Sequence, residues 1–92
     1  MVVSVKSNDA VRMRLEAVEG LLRLHERWNE VSETVASARD RHDAVAKLRE
    51  QPFGFSDLQA EHILDCRIGL RTELGRRQLL DERQALLDQL DS

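Results

Sequence analysis

The sequence predicts an all-α protein: an antiparallel two-helix coiled-coil stalk with a small helical knob at one end. Three observations lead there. Charged residues make up 34% of the 92 positions and aromatic residues 3%, with one Trp, two Phe and no Tyr, a profile that suits paired amphipathic helices and not a β-sandwich. Apolar residues recur at intervals of three and four, the helical period, over two long stretches. The strong breakers Pro52 and Gly54 fall between those stretches.

Each element follows from its own local signals. Ser7, Asn8 and Asp9 offer caps for a first arm over residues 9–35, in which Val11, Leu15, Val18, Leu22 and His25 form one row. A second row, Leu21, Leu24, Trp28, Val31 and Val35, takes over near Gly20, so the two halves of the arm are expected to face different neighbours. Ser37 or Asp40 starts a short helix over 38–50 with Ala44, Val45 and Leu48 on one face, and Pro52 and Gly54 end it. Ser56 opens the next helix with Gln59 three residues on, the pattern of a capping box in which side chain and backbone satisfy each other's end groups. Phe53 and Phe55 stand just before it as a hydrophobic staple. Gly69 interrupts the run and Thr72 caps again. Leu74, Leu79, Leu80, Leu86, Leu87 and Leu90 then carry a second arm over about 72–90.

This divides the chain into a flexible amino-terminal segment, 1–8, and one helical domain, 9–92, with arms at about 9–35 and 72–90 and a knob at about 36–71. An antiparallel pairing of the arms brings both ends to one tip. A chain this short buries a modest fraction of its surface. The knob is expected to carry more apolar surface than the stalk covers, and to dimerise through Phe55, Leu58, Ile63, Leu64, Cys66, Ile68 and Leu70. Ile63 and Leu64 are expected to face the partner, and Leu80 and Leu87 to pack within one chain.

The formal charge of −3 comes from 17 acids and 14 bases spread finely along the chain, which argues against direct nucleic-acid binding. Met1 to Ser7 has only Val2, Val3 and Val5 as an apolar core, too short for a signal peptide, and no run of about 18 apolar residues occurs. Together with a single cysteine, Cys66, this leads to an expected cytoplasmic location and no membrane partner.

The stretches "LEAVEGLL", "FSDLQAEHILDCRIG" and "LLDERQALLDQL" resemble the coiled-coil and exit-gate dimerisation segment of the DNA gyrase A and topoisomerase IV A family. The residues that match that pattern are Glu19, Gly20, Leu21 and Leu22, then Ser56, Gln59, Ala60, Ile63, Leu64, Asp65, Ile68, Thr72, Leu74 and Glu82. His62, Cys66, Leu70 with Arg71, and Gly75 depart from it; Gly75 stands where an acid is usual. The resemblance implies a gate-like hairpin, present as a module by itself, with a twofold contact between knobs. Without Tyr the chain lacks the family's DNA-cleaving nucleophile.

His62 and Cys66, four apart with Glu61 and Asp65 nearby, could place two ligands on one metal, but a structural zinc takes four and no second Cys exists, so no metal and no cofactor are expected. Cys66 reads as interface packing. Asp65 is expected to pair with Arg67, Arg71 or a helix-end N–H, and Trp28 to sit in the core. "LLRLHERWNEVSETVA" faintly resembles the helical chorismate mutases, a likeness that stops after one helix; that site needs Arg and Lys from several helices around a dicarboxylate, and the chain's only lysines are Lys6 and Lys47. The expected function is a non-enzymatic homodimer that binds another protein. The alternatives are a regulator that binds gyrase or topoisomerase IV, or a DNA-associated factor.

Overall fold

A computed structural model describes the backbone of residues 2–91 and the side chains of residues 8–91. The expected flexible segment lies outside the described residues for Met1 and for the side chains of Val2, Val3 and Val5. The described chain is all-helical: α1 (Val2–Glu26), α2 (Trp28–Ala36), α3 (Arg41–Arg49), α4 (Asp57–Asp65), a short 3-10 turn (Ile68–Arg71) and α5 (Glu73–Asp91). It measures 46 × 29 × 21 Å along its principal axes.

α1 begins at Val2, so Ser7, Asn8 and Asp9, expected to cap the first arm, lie within it; from α3 onward the caps fall where the sequence places them. Asp40 caps α3 by accepting the Asp43 N–H at 2.9 Å. Ser56 and Gln59 form both halves of a capping box on α4, with the Gln59 N–H on Ser56 Oγ at 3.1 Å and the Ser56 N–H on Gln59 Oε1 at 3.0 Å. Thr72 Oγ1 accepts the Gly75 N–H at 3.0 Å and starts α5. Such caps are each worth about 1 kcal/mol, because they satisfy backbone donors that a helix end leaves without partners.

The first arm is broken in two. Arg27, at φ −128° and ψ 35°, leaves the helical conformation between α1 and α2. Its side chain is held away from the helix by three partners: the Glu30 carboxylate at 2.9 Å, the Pro52 carbonyl at 3.4 Å and the Phe53 ring, whose centroid lies 4.8 Å from the guanidinium carbon. The break lets the second apolar row turn toward another neighbour, as the drift near Gly20 suggests. α1 packs on α4 and α5, whereas α2 packs on α3.

α1 and α5 run antiparallel, since Arg14 meets Glu82 while His25 meets Leu70. α4 lies along the later half of α1, so the knob folds back against the arm and the core continues from one to the other. That core holds Val18, Leu21, Leu24, Val31, Leu48, Phe53, Phe55, Ala60, Ile63, Leu79 and Leu86. On α5 the buried line is Leu79 and Leu86. Leu80, expected to pack within the chain, is 40% exposed, and Leu87 is half-buried. The one-residue shift moves a side chain by about 100° around the helix, enough to carry it out of the contact.

Candidate functional site

The segments that carry the sequence resemblance meet in space, and what they do there is structural. Gly20 on α1 lies against Gln59 on α4: a methyl group at Gly20 would stand 2.7 Å from Gln59 Cγ and 2.8 Å from its Cβ. Gln59, 9% exposed, donates from Nε2 to the Glu16 carbonyl at 2.9 Å while its Oε1 closes the capping box. Ser56 Oγ donates to the Glu16 carboxylate. A buried amide with its oxygen and nitrogen both engaged is thus the clamp between the two helices, and the missing side chain at Gly20 makes room for it.

Gly75 has a similar cause. A Cβ there would come within 2.4 Å of the Leu70 carbonyl oxygen, so the departure from the family's acid at this position goes with the close approach of the 3-10 turn to α5. The same carbonyl accepts a hydrogen bond from His25 Nε2, which ties the turn to the end of α1.

The residues expected at an intermolecular contact divide into two groups. Phe55 and Ile63 are 3% and 6% exposed within the chain's own core, which removes them from the free surface. Leu58, Leu64, Cys66 and Leu70 are half-buried, and Ile68 is 78% exposed. Ile68 borders an open apolar cleft of about 320 Å³, lined by Trp28, Val31 and Val35 of α2 and by Ile63, Leu64 and Cys66 of the knob. Cys66 also lines a second cleft of about 490 Å³ between α4 and α5, with Leu21, Leu70 and Leu74 among its apolar walls and His62, Asp65, Arg67 and Gln78 among its polar ones. Leu74 is 64% exposed. Cys66 is the residue that the two clefts share.

Trp28, expected in the core, is half-buried and forms one wall of the first cleft. The Arg71 guanidinium stands 5.5 Å from its ring centroid and the His25 ring lies 6.3 Å away at a tilt of 59°. Nothing in the one-dimensional pattern marks α2 as a cleft wall, because that role depends on where the knob folds. Asp65 is exposed, and its partner is Arg41 of α3 at 3.1 Å rather than Arg67 or Arg71; Arg41 also holds Glu61 at 2.5 Å. Burial pushes the Cys66 thiol up, which favours the protonated form over a thiolate. Among the described residues, no group of three His, Cys, Asp or Glu side chains is arranged to hold a metal.

Glu82 on α5, one of the residues that carry the resemblance, accepts from Arg14 Nε at 2.6 Å and from Arg14 Nη2 at 2.9 Å. These hydrogen bonds hold its carboxyl below the usual carboxylate range, against the opposing effect of burial. Its contribution to stability is thus fully present above the unfolded value of about 4.3 and is lost as the pH falls through the lower folded value. Glu82→Gln should melt below the parent near neutral pH, and the two melting curves should converge as the pH is lowered through the folded value. The gap should be small, at most about 1 kcal/mol, because the two side chains are 42% and 37% exposed. A gap that widened in acid would contradict this assignment.

No protein-family model matches the chain. It is similar to the DNA gyrase A protein of Haloquadratum walsbyi, 28% identical over 96 residues, a match that takes in 90% of this chain and 11% of that protein. The chain thus spans about a ninth of the length of this curated relative, and what it is similar to is a distant gyrase A-like segment. No helix among the described residues is long and apolar enough to cross a membrane.

Proposed function

We propose that the chain is a non-enzymatic homodimerising interaction module whose knob makes a twofold contact, in the manner of a gyrase A exit gate. The observation that carries this reading is Ile68, 78% exposed at the edge of the cleft between Trp28, Val31, Val35 and Leu64. A protruding aliphatic side chain beside an apolar cleft on the same surface is self-complementary: under a twofold axis, Ile68 of each copy can enter the cleft of the other. Ile68 and Leu74, both exposed, border the two clefts of the knob, and larger exposed apolar patches mark interaction sites. The contact is assigned to Leu64, Cys66, Ile68 and Leu70, with Trp28 as the anchor that the knob residues surround, since aromatic side chains often dominate such contacts.

Sedimentation tests the reading. The parent chain is expected to be dimeric at micromolar concentration. Ile68→Asp should be monomeric there with its helicity and melting temperature retained, because each copy would otherwise bury an unpaired carboxylate at a cost of several kcal/mol, and each 1.4 kcal/mol is tenfold in association. A parent that stays monomeric, or an Ile68→Asp variant that stays dimeric, would overturn it.

The likeness to a gyrase A segment favours one further occupant of the same face: the corresponding knob of a gyrase A chain, in place of a second copy. Mixing the two proteins at equal concentration distinguishes these cases, since a mixed dimer that Ile68→Asp abolishes would assign the surface to regulation of that enzyme.

A further inference from the structure

The second cleft, between α4 and α5, adjoins the one beside Ile68, and Cys66 is the one lining residue that the two share. Its floor is apolar, with Leu21 buried and Leu70 half-buried, and Leu74 stands 64% exposed at its mouth. On its polar side Arg67, His62 and Gln78 have no hydrogen-bond or ion-pair partner among the described residues. Asp65, the acid that lines the cleft, is held by Arg41 at 3.1 Å. The cleft therefore sets an aliphatic floor beside a free guanidinium.

The surroundings carry the same sign. Arg67, Arg71, Arg76 and Arg77 fall within residues 67–77, at the 3-10 turn and the start of α5. None of the four forms an ion pair among the described residues, whereas six of the eight arginines elsewhere do. Glu73 and Asp81 are the exposed acids of that end of α5, and neither lines the cleft. In a chain of net charge −3 this is a local basic excess, and it favours an anionic occupant. A nucleic acid is the poorer fit, because phosphates gain nothing from Leu21, Leu70 and Leu74, and the walls hold no Phe or Trp on which a base could stack. A small molecule needs a more enclosed site than a cleft with Leu74 exposed at its edge.

We propose that this cleft binds an acidic peptide segment of a partner protein, one in which aliphatic side chains alternate with carboxylates. An aliphatic side chain enters against Leu21, Leu70 and Leu74. A neighbouring carboxylate accepts from the Arg67 guanidinium, whose donors form a fork that suits it. His62 and Gln78, with no partner in the chain, bond the peptide backbone. The binding is moderate and salt-sensitive, since its charged half is exposed to solvent. It does not rest on the twofold contact of the knob.

The test is fluorescence anisotropy of a labelled peptide of Leu-Glu repeats, titrated with the intact chain. The peptide is expected to bind, and its Ala-Glu counterpart to bind about tenfold more weakly, because only leucine fills the apolar floor. Arg67→Glu should weaken binding by about tenfold or more, since it sets a carboxylate against a carboxylate. Arg12→Glu is the control: it changes the net charge equally, at an exposed position on α1, and should bind like the parent. Arg67 is exposed, so its replacement should leave the melting temperature unchanged. If it does not, Leu74→Ser at the mouth decides, and undiminished binding by that variant refutes the site. A Leu-Glu peptide that does not bind, an Ala-Glu peptide that binds equally, or equal effects of Arg67→Glu and Arg12→Glu would overturn the proposal, as would a duplex oligonucleotide that binds through Arg67 in the peptide's place. A parent that sediments as a monomer and still binds the peptide through Arg67 would leave it standing and overturn only the knob contact.

Discussion

Ile63→Asp is expected to unfold the chain and not merely to divide a dimer. Ile63 is 6% exposed and belongs to the continuous core that joins α1, α2 and α4. A carboxylate placed there must stay charged in an apolar setting, take up a proton or force the helices apart, and each route is unfavourable by several kcal/mol. A domain of this length has about 5–14 kcal/mol of stability in total, so the substitution removes much or all of it. Circular dichroism should show a large loss of cooperative melting at neutral pH. Ile68→Asp, five positions away on the exposed 3-10 turn, should change the melting temperature little, since surface substitutions usually fall within about 0.5 kcal/mol. Two aliphatic residues in one short stretch thus separate folding from assembly. A helical, cooperatively melting Ile63→Asp variant would mean that α4 presents a different face to α1.

The second large effect is expected at Gly20. A Cβ at this position already overlaps Gln59 at 2.7 and 2.8 Å, and the overlapped atoms are the stem of a side chain fixed by hydrogen bonds to Glu16 and Ser56. Gly20→Leu must therefore separate α1 from α4 or expel Gln59, which would leave the amide and the Glu16 carbonyl to find new partners. Leucine favours a helix over glycine by up to about 1 kcal/mol, too little to offset an overpacked contact of about 3 kcal/mol and a broken clamp. The melting temperature should fall by roughly 10–20 °C. Gly69→Ala is the internal control, because a methyl group there meets nothing within 4 Å. If Gly20→Leu melted no lower than Gly69→Ala, the helix approach described for α1 and α4 would be wrong.

The Gly20–Gln59 contact bears on the likeness to a gyrase A segment. Three of the residues that carry the resemblance, Gly20, Ser56 and Gln59, let two helices approach and cap one of them. In this chain Gly20, Ser56 and Gln59 serve packing, and the proposed function is argued from Trp28, Leu64 and Ile68, of which Leu64 and Ile68 also belong to the matching residues and all three line or border the apolar cleft of the knob. The same division explains why the candidate site was only half legible. The sequence pointed to residues 55–70 because apolar residues are dense there, but density alone does not say which of them the chain uses for its own core.

What the sequence determined by itself is the set of features whose causes lie within about four residues. The all-helical class, the cap at Asp40, the capping box at Ser56 and Gln59, the cap at Thr72 and the stop at Pro52 and Gly54 all depend on groups one turn apart, so their partners are visible in the string. The tertiary structure decided what depends on how separate elements meet. Arg27 breaks the first arm where it meets Phe53, Asp65 finds Arg41 on α3, Gly75 is required by the approach of Leu70, and Phe55 and Ile63 turn inward while Ile68 stays out. A helix presents several apolar flanks of nearly equal width, and only the element that packs across it selects which flank is buried and which is left for a partner.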